Sequence, residues 1–175
     1  MMSRRVLWFA PLLLSGCVPM APPDQVMATA NLVRSDGATI GTVRVFNEPT
    51  GVVLRINASG LPPGMHGVHL HAVGRCDAPG FTTAGAHWNP SSRQHGHLNP
   101  AGFHIGDLGN LGVGADGKLV AGLLVPGARL RTDSYGDGPV VMDADGAALV
   151  FHAKPDDERT DPSGDSGDRI ACAVL

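Results

Sequence analysis

The chain has 175 residues, with 13 Lys and Arg against 16 Asp and Glu, a formal charge of −3 and 5% aromatic residues. That length fits one ordinary domain with short additions, and the absence of a clustered basic run argues against a nucleic-acid partner. A mildly acidic chain attracts an anion only through a local positive field.

In chain order, residues 1–16 read as an export signal. Arg4 and Arg5 form a positive start, and Val6 to Leu14 form an apolar stretch too short to cross a bilayer. Leu14-Ser15-Gly16-Cys17 resembles a bacterial lipoprotein cleavage box. Cleavage before Cys17 would leave 175 − 16 = 159 residues, carry lipid on Cys17 and take the charge from −3 to −5. The paired arginines leave twin-arginine export open. Residues 17–25 are Pro-rich and read as a lipidated spacer, and residues 26–175 form the domain. Two acyl signals suffice for stable anchoring. Val18 lacks the acidic character associated with inner-membrane retention, so the expected location is the periplasmic side of the outer membrane.

With Cys17 assigned to lipid, Cys76 and Cys172 remain as an even pair. An exported domain is where a disulfide persists. Joining them closes a loop of about 97 residues, stabilising the domain by roughly 4 to 5 kcal/mol in the chain-entropy treatment. Two buried free thiols are the alternative.

From Val26 onward, short β-like runs are separated by Gly, Pro, Asn and Asp. The predicted strands are Val26–Val33, Thr39–Asn47, Gly51–Ser59, Gly64–His71, Leu108–Val113, Lys118–Val125, Ala147–His152 and Arg169–Val174. Arg44 to Asn47 and Val52 to Asn57 show partial two-residue alternation. Asp36-Gly37 and Asp116-Gly117 are hairpin signals. No stretch sustains helical periodicity over three turns. Many short antiparallel strands predict an all-β sandwich or barrel, interrupted by two long irregular segments, Ala72 to about Gly106 and Ala153 to Asp168. Long irregular loops in a small domain are usually functional.

Those loops and the adjoining strands carry His69, His71, His87, His95, His104, Asp107 and His152, spaced as two adjacent metal sites sharing one imidazole. His69 and His71 sit two apart on a strand, so both leave one face, as two ligands of one metal require. His66, an odd number away, is expected to point elsewhere and bond backbone in a neighbouring loop. Three imidazoles and a carboxylate from His87, His95, His104 and Asp107 fill a closed tetrahedral zinc site. Few apolar residues lie in that loop, so metal would order it. His152 is the natural fourth ligand for the His69/His71 metal.

The segments GMHGVHLH, AHWNP, HIGDLGN, the late His152 and GDRIAC occur in the order found in bacterial Cu,Zn superoxide dismutases, and the resemblance runs from about Val26 to Leu175. It implies an eight-stranded Greek-key β-barrel, immunoglobulin-like in its sandwich character, and an antioxidant oxidoreductase. The implied reaction converts two superoxide anions and two protons to dioxygen and hydrogen peroxide through alternate reduction and oxidation of copper. By position, copper (one per chain) falls to His69, His71, His87 and His152. Zinc (one per chain) falls to His87, His95, His104 and Asp107. His87 bridges the two and serves as general acid. Asp156 matches a carboxylate that accepts from His69 and His95, with an exposed acid as the alternative. Arg169 matches a guanidinium that draws the anion toward copper, and Cys76 with Cys172 matches the family disulfide. His97 has no counterpart and reads as a solvated loop residue. The second loop, PDDERTDPSGDSGD, carries six acids and only Arg159 as a base, so long-range steering would rest on Lys154, Arg169 or the first loop. The family includes monomers and dimers, so a homodimer is one expectation. A copper carrier, a zinc-only fold or a lipid-tethered structural domain would be the competing classes. The first two predict a missing copper histidine or a replaced Arg169, and the third gives no reason for the histidine series.

Overall fold

The computed structural model describes residues 25–134 and 136–175; the predicted export signal, Cys17 and most of the predicted spacer fall outside the described residues. The strands are β1 (Ala28–Arg34), β2 (Thr39–Glu48), β3 (Gly51–Ser59), β4 (Gly64–His71), β5 (Asp107–Val113), β6 (Lys118–Pro126), β7 (Ala148–His152) and β8 (Arg169–Val174). Each predicted strand is present, with ends shifted by at most two residues. A single 3₁₀ turn at Thr82–Ala84 is the only helical element among the described residues.

All pairings are antiparallel, in the order β5-β4-β7-β8-β1-β2-β3-β6. The neighbours β3/β6, β4/β7 and β1/β8 are distant in sequence, which is the Greek-key crossover pattern. The outermost strands β5 and β6 are joined by the Asp116-Gly117 hairpin, where the Gly114 N–H donates to the Lys118 carbonyl at 3.1 Å, so the sheet curls into a nearly closed barrel. Asp36-Gly37 likewise turns β1 into β2.

Alternation decides what fills the barrel. Val43 and Val45 of β2, Leu54 and Ile56 of β3, Val68 and Leu70 of β4, and Leu149 and Phe151 of β7 are at most 1% exposed and form one cluster. Burying each such side chain is worth about 1.5–3 kcal/mol. Residues of opposite parity leave by the outer wall. On β4 these are His69 and His71, and on β7 they are Ala148, Val150 and His152. A second apolar cluster covers that wall: Phe81 and Ala84 of the first long loop pack on Ala148, Val150 and Cys172. Cys76 is bonded to Cys172 with Cα atoms 5.8 Å apart, so the loop is held covalently as well as by packing.

The two predicted loops are present, but a third long irregular segment, 127–147, was not anticipated. It is rich in Gly and Asp and has little alternation. Its placement comes from tertiary contacts: Leu130 and Val141 are fully buried, and the Leu130 N–H donates to buried Asn47 Oδ1 at 2.7 Å.

Candidate metal centre

Strand register assembles the site. His69 pairs with Asp107 across β4/β5 and with Val150 across β4/β7. His152 pairs with Arg169 across β7/β8, and an isolated bridge joins His71 to His87. A register irregularity between Gly67 and His69 re-aims β4 at the point where its ligands begin. All seven predicted ligands are at most 8% exposed.

Two groups of ligand atoms converge. His69, His71, His87 and His152 form one, and His87, His95, His104 and Asp107 the other, with ligand atoms inside each group within 4.8 Å of one another. His87 belongs to both.

Outer hydrogen bonds fix which ring nitrogen is left over. His69 Nε2–H donates to Asp156 Oδ2 at 2.8 Å, leaving Nδ1. His71 Nδ1–H donates to the Gly85 carbonyl at 2.9 Å, and His152 Nδ1–H donates to the Gly167 carbonyl at 3.1 Å, each leaving Nε2. Those three atoms, with His87 Nε2, are buried and have no hydrogen-bond partner within the protein. Buried polar atoms are seldom left unpaired, and neutral imidazole nitrogens converging without protons are what a copper or zinc ion accepts.

In the second group, His87, His95 and His104 place Nδ1 at 2.9, 3.0 and 3.0 Å from the same oxygen, Asp107 Oδ1. A carboxylate oxygen has lone-pair sites for about two donors, not three. Four donors around a tetrahedral zinc at about 2.0–2.1 Å would lie roughly 3.3 Å apart, close to these separations. The other oxygen, Asp107 Oδ2, accepts the N–H groups of Gly96 at 2.9 Å and His104 at 3.0 Å, so Asp107 is aimed by backbone. The donor chemistry fits both metals.

Burial shapes the charge states. It pushes His71 down to about 2, with His87 adding repulsion. It pushes His152 down to about 3 and His87 to about 4, the latter against a hydrogen bond that His87 donates to Asp107. These imidazoles are held neutral, the metal-binding form. Burial also opposes charge on His95, yet hydrogen bonds to Asp107 and Asp156 outweigh it and lift His95 to about 9. Both carboxylates are held well below their ordinary range by those imidazoles, although burial alone would raise them.

Asp156 stands where the resemblance put it. It is 5% exposed and accepts from His69 through Oδ2 and from His95 through Oδ1 at 3.0 Å, tying the two groups together. Sequence reasoning missed what holds Asp156. The Asn110 side chain clamps its backbone, accepting from the Asp156 N–H at 2.7 Å and donating to the Asp156 carbonyl at 2.9 Å. Gly164, at φ +63°, leaves room that a Cβ would fill at 1.8 Å from Asp156 Oδ1. Asn110 lies inside the quoted HIGDLGN segment, three residues after Asp107, which was the available signal.

Arg169 is half-buried, and its two terminal nitrogens donate to the carbonyls of Phe81 and Gly85, each at 2.7 Å. Gly85 therefore accepts from both Arg169 and His71, which links the guanidinium to the first ligand group. Burial lowers the Arg169 pKa from its ordinary value, but guanidinium stays charged. His66 takes the backbone role expected of it, 2.8 Å from the carbonyls of His152 and Pro62. His97 differs from the expectation of a simply solvated residue. Although 39% of its side chain is exposed, it lies 2.7 Å from Glu158 and stacks on Phe103 with ring centres 4.1 Å apart, bracing one long loop against the other.

Comparison with known proteins agrees with this geometry. A sequence model of the family "Copper/zinc superoxide dismutase (SODC)" matches residues 39–175. The chain is 42% identical over 149 residues to a superoxide dismutase [Cu-Zn] of Caulobacter vibrioides, covering 85% of this chain and 84% of that protein. It is 38% identical over 153 residues to superoxide dismutase [Cu-Zn] 2 of Aquifex aeolicus, covering 87% and 88%. Among solved structures, a superoxide dismutase-like protein from Bacillus subtilis superposes with a TM-score of 0.80 at 38% identity, covering 86% of this chain and all of that one. The Cu/Zn superoxide dismutase of Brucella abortus superposes at 0.64 and 28% identity, covering 85% and 98%. Since the matched span begins at β2 and takes in both imidazole groups, Asp156 and Arg169, this chain belongs to the copper/zinc superoxide dismutase family.

Proposed function

We propose that His69, His71, His87 and His152 hold the copper, that His87, His95, His104 and Asp107 hold the zinc, and that superoxide dismutation runs over this pair. The supporting observation is the set of buried, unpartnered imidazole nitrogens, with His87 facing one group through each ring nitrogen. Bound copper would supply the one-electron redox couple and bound zinc a fixed positive charge.

The chain's own residues do the rest. Asp156 and the carbonyls of Gly85 and Gly167 fix the tautomers and ring orientations. The Arg169 guanidinium, carried on β8 beside His152, offers the anion a permanent positive charge. Commitment of His87 Nδ1 to the Asp107 side makes Nε2 the atom that takes up a proton and hands it to the reduced substrate. The packed loop over β7 and β8 limits water around that transfer.

Metal analysis with activity tests the assignment. His87→Ala should disturb both metals, whereas His104→Ala should lose zinc first and loosen residues 72–106. Selective copper loss in His104→Ala, or full activity with normal copper in His152→Ala, would overturn it. For the N-terminus, we propose lipid on Cys17 and residence on the periplasmic face of the outer membrane, supported by the Leu-Ser-Gly-Cys box. Radioactive palmitate should label the chain, and Cys17→Ser should abolish the label.

A further inference from the structure

The outer wall opposite the metal centre has its own chemistry. In the barrel order, β4 and β7, which carry the ligands, lie four places from β2 and β3. On that opposite wall, register sets Arg44 of β2 directly across from Arg55 of β3. Like charges facing one another across strands are destabilising, and here Glu48 offsets part of that repulsion through Arg55. Arg55 also lies over the Phe46 ring at 4.2 Å and 3.9 Å from Glu48.

The register rows through β1, β2, β3 and β6 show what surrounds the pair. The row on one side ends in Met27 and Leu124, 39% and 44% exposed, and the row on the other ends in Val120, 83% exposed. These three rows carry no acidic side chain, and Glu48 reaches Arg55 from the next row. Gly122, with no side chain, floors a shallow groove of about 400 Å³ beside Arg44, Arg55 and Val120. Two cations rimmed by exposed aliphatic side chains match an anionic lipid surface, which presents phosphates above an apolar layer.

The chain's path brings such a surface within reach. Met27 sits at the edge of this wall, its N–H donating to the Val45 carbonyl at 2.8 Å. Cys17 lies ten residues upstream, so a lipid there could be no more than about 35 Å away. A domain of this size is about 40 Å across, too wide for the tether to pass beneath if the opposite wall faced the membrane. We propose that the β1-β2-β3-β6 wall rests on the bilayer, with Arg44 and Arg55 on lipid phosphates and Val120 and Leu124 at headgroup level. This rests on the lipid-anchor reading above and adds an orientation: the metal centre is turned away from the membrane toward dissolved substrate.

The test uses the lipid-modified full chain in vesicles of phosphatidylglycerol and phosphatidylethanolamine that carry a headgroup nitroxide quencher. A fluorophore is attached at Asn57→Cys on the proposed wall or at Ala101→Cys in the first long loop. Quenching at position 57 should exceed that at 101 at least fivefold. The ratio should fall toward one in pure phosphatidylcholine, in about 0.5 M salt, and in Arg44→Glu/Arg55→Glu. Equal quenching on phosphatidylglycerol, or a ratio that ignores lipid charge and salt, overturns the proposal. Flotation separates the two readings: a chain that does not float with vesicles refutes the anchor and the docking together, whereas one that floats but is quenched equally refutes the docking alone.

Discussion

Asp156→Ala is the most informative substitution because one carboxylate serves both metal groups. Its oxygens accept from His69 at 2.8 Å and His95 at 3.0 Å inside a wall that water does not reach. Alanine would leave two buried imidazole N–H groups without an acceptor, at about 1–3 kcal/mol each. It would also free both rings to change tautomer, so that a proton competes with metal at His69 Nδ1 and His95 Nδ1. Loss of such an outer carboxylate typically weakens metal binding 10–100-fold. The expected outcome is a loss of that size for copper, through His69, and for zinc, through His95. The assay is competition with graded chelators, read by elemental analysis of both metals. Asp157→Ala is the control: the Asp157 side chain is exposed and bonds only within its own turn. Copper and zinc affinities within twofold of the parent in Asp156→Ala would refute the reasoning, as would a loss confined to one metal.

Arg169→Gln removes the cation beside His152 while keeping a donor; at roughly 5 Å a unit charge in a wet site is worth about 1 kcal/mol, so kcat/KM should fall about fivefold at low ionic strength with copper still bound. Unchanged kinetics there would exclude Arg169 from anion capture. Cys76→Ser/Cys172→Ser opens a loop of 96 residues' separation; about 4 to 5 kcal/mol should be lost, lowering Tm by roughly 10–20 °C in calorimetry, and a shift under 3 °C would show that packing of Phe81 alone holds the loop. The metal-free protein should lose stability as pH falls from about 6.5 toward 4. His71, His87 and His152 are held near 2, 4 and 3, so their contribution is present above the unfolded value of about 6.5 and is lost on acidification as the unfolded chain takes up protons. His95, raised to about 9, contributes in full below 6.5 and offsets none of that loss. Urea midpoints at pH 6.5 and 4.5 would check this, and a higher midpoint at pH 4.5 would refute it.

The strands were legible because half-burial imposes a two-residue alternation, seen at Val43 and Val45 against Arg44. The convergence of the histidines was legible for a related reason. Metal chemistry demands particular side chains, and a strand puts His69 and His71 on one face whatever surrounds it. The segment 127–147 carried no comparable signal: Leu130 and Val141 are held by the core and Asn47 accepts the Leu130 N–H, and contacts between distant residues leave no local periodicity.

By itself, then, the sequence determined which residues offer metal-binding side chains, which runs are strands and where turns fall, since each depends on chemistry within a few positions of the chain. Tertiary structure alone decided which nitrogen of each imidazole points inward, because that depends on carbonyls and carboxylates from other elements: Gly85 for His71, Gly167 for His152, Asp156 for His69 and His95. It also decided that Asn110 and Gly164 position Asp156, that His97 braces the loops through Glu158, and that Arg44 faces Arg55 on the wall away from the metals. Each of these is a matter of register and packing between segments far apart in the chain.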